Sequence, residues 1–345
     1  MNYRIVFFLL LFLSGCNSSK TTSQEPLFQE QWALHYDQPF YDAYAINKEA
    51  HIHATNAMQH YTAKGVKVAI IDIGFDVEHF EYKKNIVKVI NSADGSTNVA
   101  CYNSQQCYHG TAIAGVLAAN VNGKGLRGIA PDVELVLIKL DLAGYIGDDE
   151  ILNALEYAQK ENVDIINNSW GTGDVSFVVQ EKINQMAQEG RDGKGIVFIF
   201  ASGNEGKENG NDESMLESVI GVGATDEENL RAIYSNFGEG LDVMAPGGFN
   251  LGITTTQDTT QEDITSLYKR AEDYDKFQGT SAAAPLVTGA VALLLQKYPN
   301  LTVQEIQNIL HNSSDKIGNV PYENGRNKYY GYGKINVDSM LKYQK

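Results

Sequence analysis

Five apolar, β-branched runs alternate with helical patterns from about Val66 onward, and this alternation constrains the fold more than any other feature of the chain. The runs at 66–71, 133–138, 163–167, 196–201 and 218–222 are continuous rather than alternating, as strands buried on both faces are. Helical patterns lie between and after them, at 111–119, 150–162, 176–188, 282–295 and 302–311. The last opens on Thr302 and Glu305, spaced as a capping box. Such an order is satisfied by an α/β fold, a parallel sheet with helices on both faces. In sheets of this kind functional groups collect at the carboxyl ends of the strands.

Four residues occupy such places. Asp72 ends the first run in Ile71-Asp72-Ile73-Gly74, where a buried carboxylate is costly unless it has a partner. His109 heads the next helix in His109-Gly110-Thr111-Ala112. Asn204 follows the fourth run in Ser202-Gly203-Asn204-Glu205, where its amide can donate to a developing oxyanion. Ser281 opens the 282–295 helix, which is apolar on every face and therefore central to the fold. A helix entrance offers unpaired N–H groups and a partial positive charge. Each piece alone is ordinarily structural. Together, in the order Asp, His, Asn, Ser, they resemble the subtilisin family of serine peptidases.

Gly128-Ile129-Ala130-Pro131, Asn168-Ser169-Trp170-Gly171 and Tyr234-Ser235-Asn236-Phe237-Gly238 resemble further motifs of that family. So do Met244-Ala245-Pro246-Gly247 and Tyr330-Gly331-Tyr332-Gly333-Lys334-Ile335-Asn336, and the resemblance runs from residue 31 to the end. It implies a three-layer fold with a mostly parallel sheet, and peptide hydrolysis through an acyl-enzyme. By resemblance, Ser281 is the nucleophile, His109 the base and Asp72 the acid that orients it. Asn204 and the Ser281 N–H would bind the oxyanion, and Ser169, Trp170, Gly171 and Gly203 the substrate. Two departures stand out: Ile73 replaces a hydroxyl residue after the aspartate, and Ala112 replaces a second histidine. A catalytically silent domain of the same fold, used as a binding module, is the alternative; four intact site residues argue against it. An α/β-hydrolase would place its serine first in the chain, within Gly-Xaa-Ser-Xaa-Gly.

The N-terminus carries Arg4 and then an apolar run at 5–13, too short to span a bilayer. Leu13-Ser14-Gly15-Cys16 resembles the lipobox of bacterial lipoproteins. That implies a signal peptide over 1–15, a lipidated Cys16 with a flexible tether over 16–30, and the peptidase domain over 31–345. The expected address is an exported, lipid-anchored protein, in the outer membrane if the cell is Gram-negative, since Asn17 rather than Asp follows Cys16. The tether is too short for the folding prodomain that family members often carry, so folding without one is expected. Setting Cys16 aside leaves Cys101 and Cys107, which fit a disulfide closing a small loop; a metal pair is the weaker alternative.

A net charge of −16 over 345 residues argues against nucleic acid as a partner. Protein or peptide substrates, a membrane reached through the lipid and a monomeric state are expected. The chemistry requires no cofactor. Structural calcium is common in the family, and Glu81 with Asn122 is the candidate site. His51, His53 and His60 read as surface residues rather than metal ligands. Glu205 and Asp174 read as solvated loop acids beside a broadly apolar pocket, ahead of the alternative that they draw in Lys or Arg. The long stretch 248–277, rich in Thr, Asp and Glu, runs directly into Ser281 and reads as shaping substrate access.

Overall fold

The computed structural model describes residues 25–99, 104–140, 147–258 and 274–343, apart from the side chains of residues 104–106. The expectations for Cys16, Cys101, the signal segment and residues 259–273 lie outside the described residues. The described strands are β1 (Lys67–Asp72), β2 (Ile86–Asn91), β3 (Glu134–Lys139), β4 (Ile165–Asn168), β5 (Val197–Ala201), β6 (Val219–Thr225), β7 (Val243–Pro246), β8 (Ile253–Thr256) and β9 (Tyr274–Phe277). The helices are α1 (Gln38–Tyr44), α2 (Ala57–His60), α3 (Ser104–Ala118), α4 (Asp148–Lys160), α5 (Phe177–Gly193), α6 (Thr280–Lys297), α7 (Val303–Ser313) and α8 (Val337–Leu341).

The first seven strands form one parallel sheet in the order β2-β3-β1-β4-β5-β6-β7. β1 lies centrally, with Ile70 beside Leu137 of β3 on one side and Asn167 of β4 on the other. Side chains on one face of the sheet, among them Val68 and Ile70, pack into a core with α3, α6 and α7. Those on the other, among them Ala69 and Ile71, pack against α4 and α5. The result is the three-layer α/β architecture expected from continuous apolar strands.

α6 is the centre of that arrangement. Every residue from Thr280 to Leu295 is buried, so the helix has no solvent face. A fully buried side chain such as Leu293 contributes about 1.5–3 kcal/mol. Pro285 sits in its second turn and supplies no N–H, which leaves the Ser281 carbonyl without its helical donor. That carbonyl instead accepts from Ser169 Oγ at 3.1 Å, tying the head of α6 to the end of β4. α7 carries the expected capping box, with Thr302 and Glu305 each bonding the other's backbone.

The short elements β7, β8, β9, α1, α2 and α8 are not anticipated from the sequence, and three further departures bear on the architecture. β2 goes unseen because it is an edge strand with Val87 and Lys88 facing solvent, and so lacks a continuous apolar run. α3 begins at Ser104, which puts His109 in its second turn rather than at its head. The upstream turn is polar, and apolar periodicity cannot show it. α5 runs past 188 through non-helical backbone at Gly190, Arg191 and Asp192. There the Arg191 guanidinium bonds the Gly195 and Leu301 carbonyls and Asp164, fastening the helix end.

Candidate active site

The carboxyl ends of β1, β4 and β5 meet the N-terminus of α6, and the residues singled out in the sequence gather there. Asp72 is the last residue of β1 and is 1% exposed, so its charge needs compensation. It receives it from His109, whose Nδ1 lies 2.9 Å from both carboxylate oxygens. The Ile73 backbone N–H adds a bond of 2.8 Å to Oδ1. That bond comes from the main chain and so does not depend on the side chain at 73. Burial pushes the His109 pKa down, but the charge and hydrogen bond of Asp72 outweigh it and hold the ring above the ordinary histidine value. Phe277, at the end of β9, meets the ring edge-on with centroids 5.4 Å apart.

Ser281 sits in the first turn of α6, 7% exposed, where its backbone N–H has no preceding helical carbonyl to bond. Its hydroxyl donates to the Ser169 carbonyl at 3.0 Å, while Ser169 Oγ donates back to the Ser281 carbonyl. Among the described residues, no hydrogen bond joins the Ser281–Ser169 pair to the His109–Asp72 pair. The structure therefore brings acid and imidazole together, with the serine hydroxyl turned to β4. Trp170 completes the edge, its indole N–H bonding the Ile71 carbonyl at 2.9 Å across β4 and β1.

Asn204 is fixed through its oxygen. Oδ1 accepts from the Thr280 N–H at 2.9 Å and the Thr280 hydroxyl at 3.0 Å, so its Nδ2 is the group left to donate. Gly279 has φ +115°, and a Cβ there would stand 3.2 Å from Asn204 Nδ2, against the group left to donate. Ser169, Trp170, Gly171, Gly203, Asn204 and Ser281 all line one cleft of about 340 Å³. Asp174 does not line it; that acid accepts from Asn211 on the outer loop. Asp212 does line it, a residue that no local motif singles out.

The described flanks of 248–277 form a two-stranded antiparallel hairpin, β8 with β9, seated on α3. Thr255 and Thr256 hydroxyls donate to the Ala112 and Thr111 carbonyls at 2.5 and 2.7 Å. These flanks brace the helix that carries His109.

Glu81 and Asn122 also come together, with Asn122 Nδ2 2.7 Å from Glu81 Oε2. Tyr274 donates to Glu81 Oε1 at 2.5 Å. Beside them is Glu25, missed in the sequence because it lies in the irregular N-terminal segment. Its carboxylate, 3% exposed, accepts the N–H groups of Gly123, Lys124 and Gly125. Burial raises the Glu81 pKa, the Tyr274 and Asn122 bonds lower it, and the charge of Glu25 raises it again. Among the described residues no three His, Cys, Asp or Glu side chains cluster as a metal site. The two buried carboxylates are hard oxygen donors of the kind calcium takes, whereas Asn122 turns its Nδ2 to Glu81 and its Oδ1 to the Lys124 N–H at 3.0 Å.

The histidines before β1 are not all on the surface. His51 is 8% exposed, packed on His53, and burial pushes its pKa down to about 3. His53 lies 3.5 Å from both Glu49 and Asp315. Tyr41 of α1 meets the His51 ring edge-on, and the Val337 and Asp338 N–H groups of α8 bond the Ile52 and His53 carbonyls, tertiary contacts that no local pattern announces.

Residues 63–333 match the model of the subtilase family, peptidase family S8. Subtilisin DY of Bacillus licheniformis is 33% identical over 81% of this chain and 92% of its own length. The calcium-dependent protease of Trichormus variabilis is 32% identical over 91% of this chain, which spans 51% of that relative. Among solved structures, the Aeromonas sobria serine protease in complex with its chaperone shares the fold, with a TM-score of 0.79 and 22% identity. That match covers 92% of this chain and 66% of the other. With the family model matched over residues 63–333 and the fold shared with a solved serine protease, the chain belongs to the subtilase family and is a serine endopeptidase.

Proposed function

We propose that the chain cleaves peptide bonds by attack of Ser281 on the scissile carbonyl, with His109 as general base and acid and Asp72 fixing the imidazole tautomer. The bond of both Asp72 oxygens to His109 Nδ1 carries this reading. It leaves Nε2 as the nitrogen able to take a proton. For attack, the Ser281 hydroxyl turns from the Ser169 carbonyl toward the imidazole, a rotation between staggered wells. The carbonyl oxygen of the acyl centre then meets Asn204 Nδ2 and the Ser281 N–H, both held before the reaction begins. Ser169, Trp170, Gly171 and Gly203 form the edge along which substrate lies. A fluorophosphonate probe is expected to label the protein at Ser281, located by peptide mapping. Labelling of another residue, or none, would remove Ser281 from the mechanism.

Glu25, Glu81 and Asn122 are proposed to hold a structural calcium, which would neutralise two adjacent buried carboxylates. The Trichormus variabilis relative, named a calcium-dependent protease, supports this. At a free calcium concentration 100-fold above Kd, the ion would add about 2.7 kcal/mol of stability. Chelation should therefore lower the melting temperature by about 5 °C, and Glu81→Gln should abolish that response. An unchanged melting temperature on chelation counts against the ion.

The protein is further proposed to be exported and anchored through lipidated Cys16, with a Cys101–Cys107 disulfide bracing the loop before His109. The sequence Leu13-Ser14-Gly15-Cys16 supports the anchor, and the buried Cys107 in the turn before His109 supports the bridge. Expressed with its signal, the protein should partition into detergent and take up labelled palmitate. Cys16→Ala should lose both properties, and equal partitioning of the variant would refute the anchor.

A further inference from the structure

We propose that Glu205 and Asp212 set the cleft beside Ser281 to take a lysine or arginine side chain immediately before the cleaved bond, an inference that rests on the peptidase reading above. Each carboxylate belongs to a different wall. The first wall continues from β4 through Gly171 and Gly173, and Asp212 lies against it. A Cβ at Gly171 would stand 3.1 Å from Asp212 Oδ2, which also accepts the Gly173 N–H at 3.1 Å. The second wall continues from β5 through Gly203, and Glu205 folds back against it. Gly203 has φ +98°, and a Cβ there would lie 2.9 Å from Glu205 Oε2 and 2.5 Å from Asn236 Nδ2. Glycine at these positions keeps both walls low and leaves the carboxylates facing the cleft.

Glu205 is exposed to solvent, with one of its carboxylate oxygens held in place. Asn236, 2% exposed, donates from Nδ2 to Glu205 Oε2 at 2.6 Å. The Oδ1 of the same amide accepts the backbone N–H groups of Glu205 and Lys207, so one side chain fixes both the loop and its acid. Glu205 Oε1 has no hydrogen-bond partner among the described residues. Asp212 has a second task, capping the turn at Glu213–Met215 through Oδ1, which accepts from Ser214 N–H and Oγ. Among the described residues lining the cleft, Lys207 brings the one ammonium. Two carboxylates against one ammonium leave room for one more positive charge. A lysine or arginine supplies it at the end of an aliphatic stem that Trp170 and Ala201 can cover.

The test uses peptide substrates identical except for the residue before the scissile bond. In the wild-type protein, kcat/KM for Lys and Arg should exceed that for Leu by about 100-fold, as a charge-paired pocket discriminates. Glu205→Gln should lower the Lys-to-Leu ratio about 10-fold, chiefly through KM. Glu205→Lys should lower it further and raise cleavage after Glu. Asp212→Asn, checked for folding by circular dichroism, should lower the ratio independently. A protein that labels with fluorophosphonate and hydrolyses casein, yet cleaves after Leu as readily as after Lys, overturns the proposal. Failure to label overturns the assignment of Ser281 instead, and this inference with it.

Discussion

Replacing Ser281 by alanine is expected to cut peptide hydrolysis by about 10⁶-fold, the loss known for the corresponding serine of subtilisin. The effect is large because no neighbouring hydroxyl can substitute. Thr280, the nearest in sequence, spends its hydroxyl on Asn204, and Ser169 spends its own on the Ser281 carbonyl. The variant should still fold. What it loses is one bond to the Ser169 carbonyl, worth about 1 kcal/mol, whereas the α6 packing that fixes the helix is untouched. Its melting curve should therefore almost superimpose on that of the wild type, while fluorophosphonate labelling disappears. Casein hydrolysis persisting in this variant would sink the mechanism.

Asp72→Asn should cost about 10⁴-fold in kcat and also move the pH profile. Asparagine can turn its NH₂ toward His109 Nδ1, which forces the ring proton onto Nε2, the nitrogen required as base. The pH effect follows from the same contact. Asp72 holds the His109 pKa above its ordinary value, and the neutral ring is the active base. Wild-type kcat/KM should therefore rise with pH through a midpoint above about 6.5. Without the aspartate charge, burial is left to act alone, and it lowers the pKa. The acid limb of the residual activity should shift to lower pH. A limb that stays in place would mean Asp72 does not set the charge state of His109.

Much of this was written in the sequence, for physical reasons that differ from residue to residue. β1, β3, β4, β5 and β6 were legible because a strand buried on both faces has to be continuously apolar. Asp72 stood out because a carboxylate ending such a strand demands a partner. Ser281 was visible only through the buried helix behind it. The edge strand β2, half solvated, offers no such contrast. The first turn of α3 is polar and was read as loop, which misplaced His109 on its helix. Glu25 and Asp212 were invisible for another reason. Each acts through backbone N–H groups or a neighbouring wall, and those partners are set by tertiary folding. Asp174 was singled out because it follows the Ser169-Trp170-Gly171 edge in the chain, yet the turn after Gly173 sends it to the outer loop.

The β8–β9 hairpin has one more implication. Phe277 touches the His109 ring, the Lys276 carbonyl accepts from the Tyr108 hydroxyl at 3.3 Å, and the chain then reaches Ser281 through Gln278, Gly279 and Thr280. Base and nucleophile are distant in the chain, but they are referenced to one short segment, like two instruments bolted to the same rail. Breathing of the sheet, on warming or on substrate entry, should carry both together and leave their separation nearly constant. Slackening the rail at Gly279 would uncouple them without touching either group.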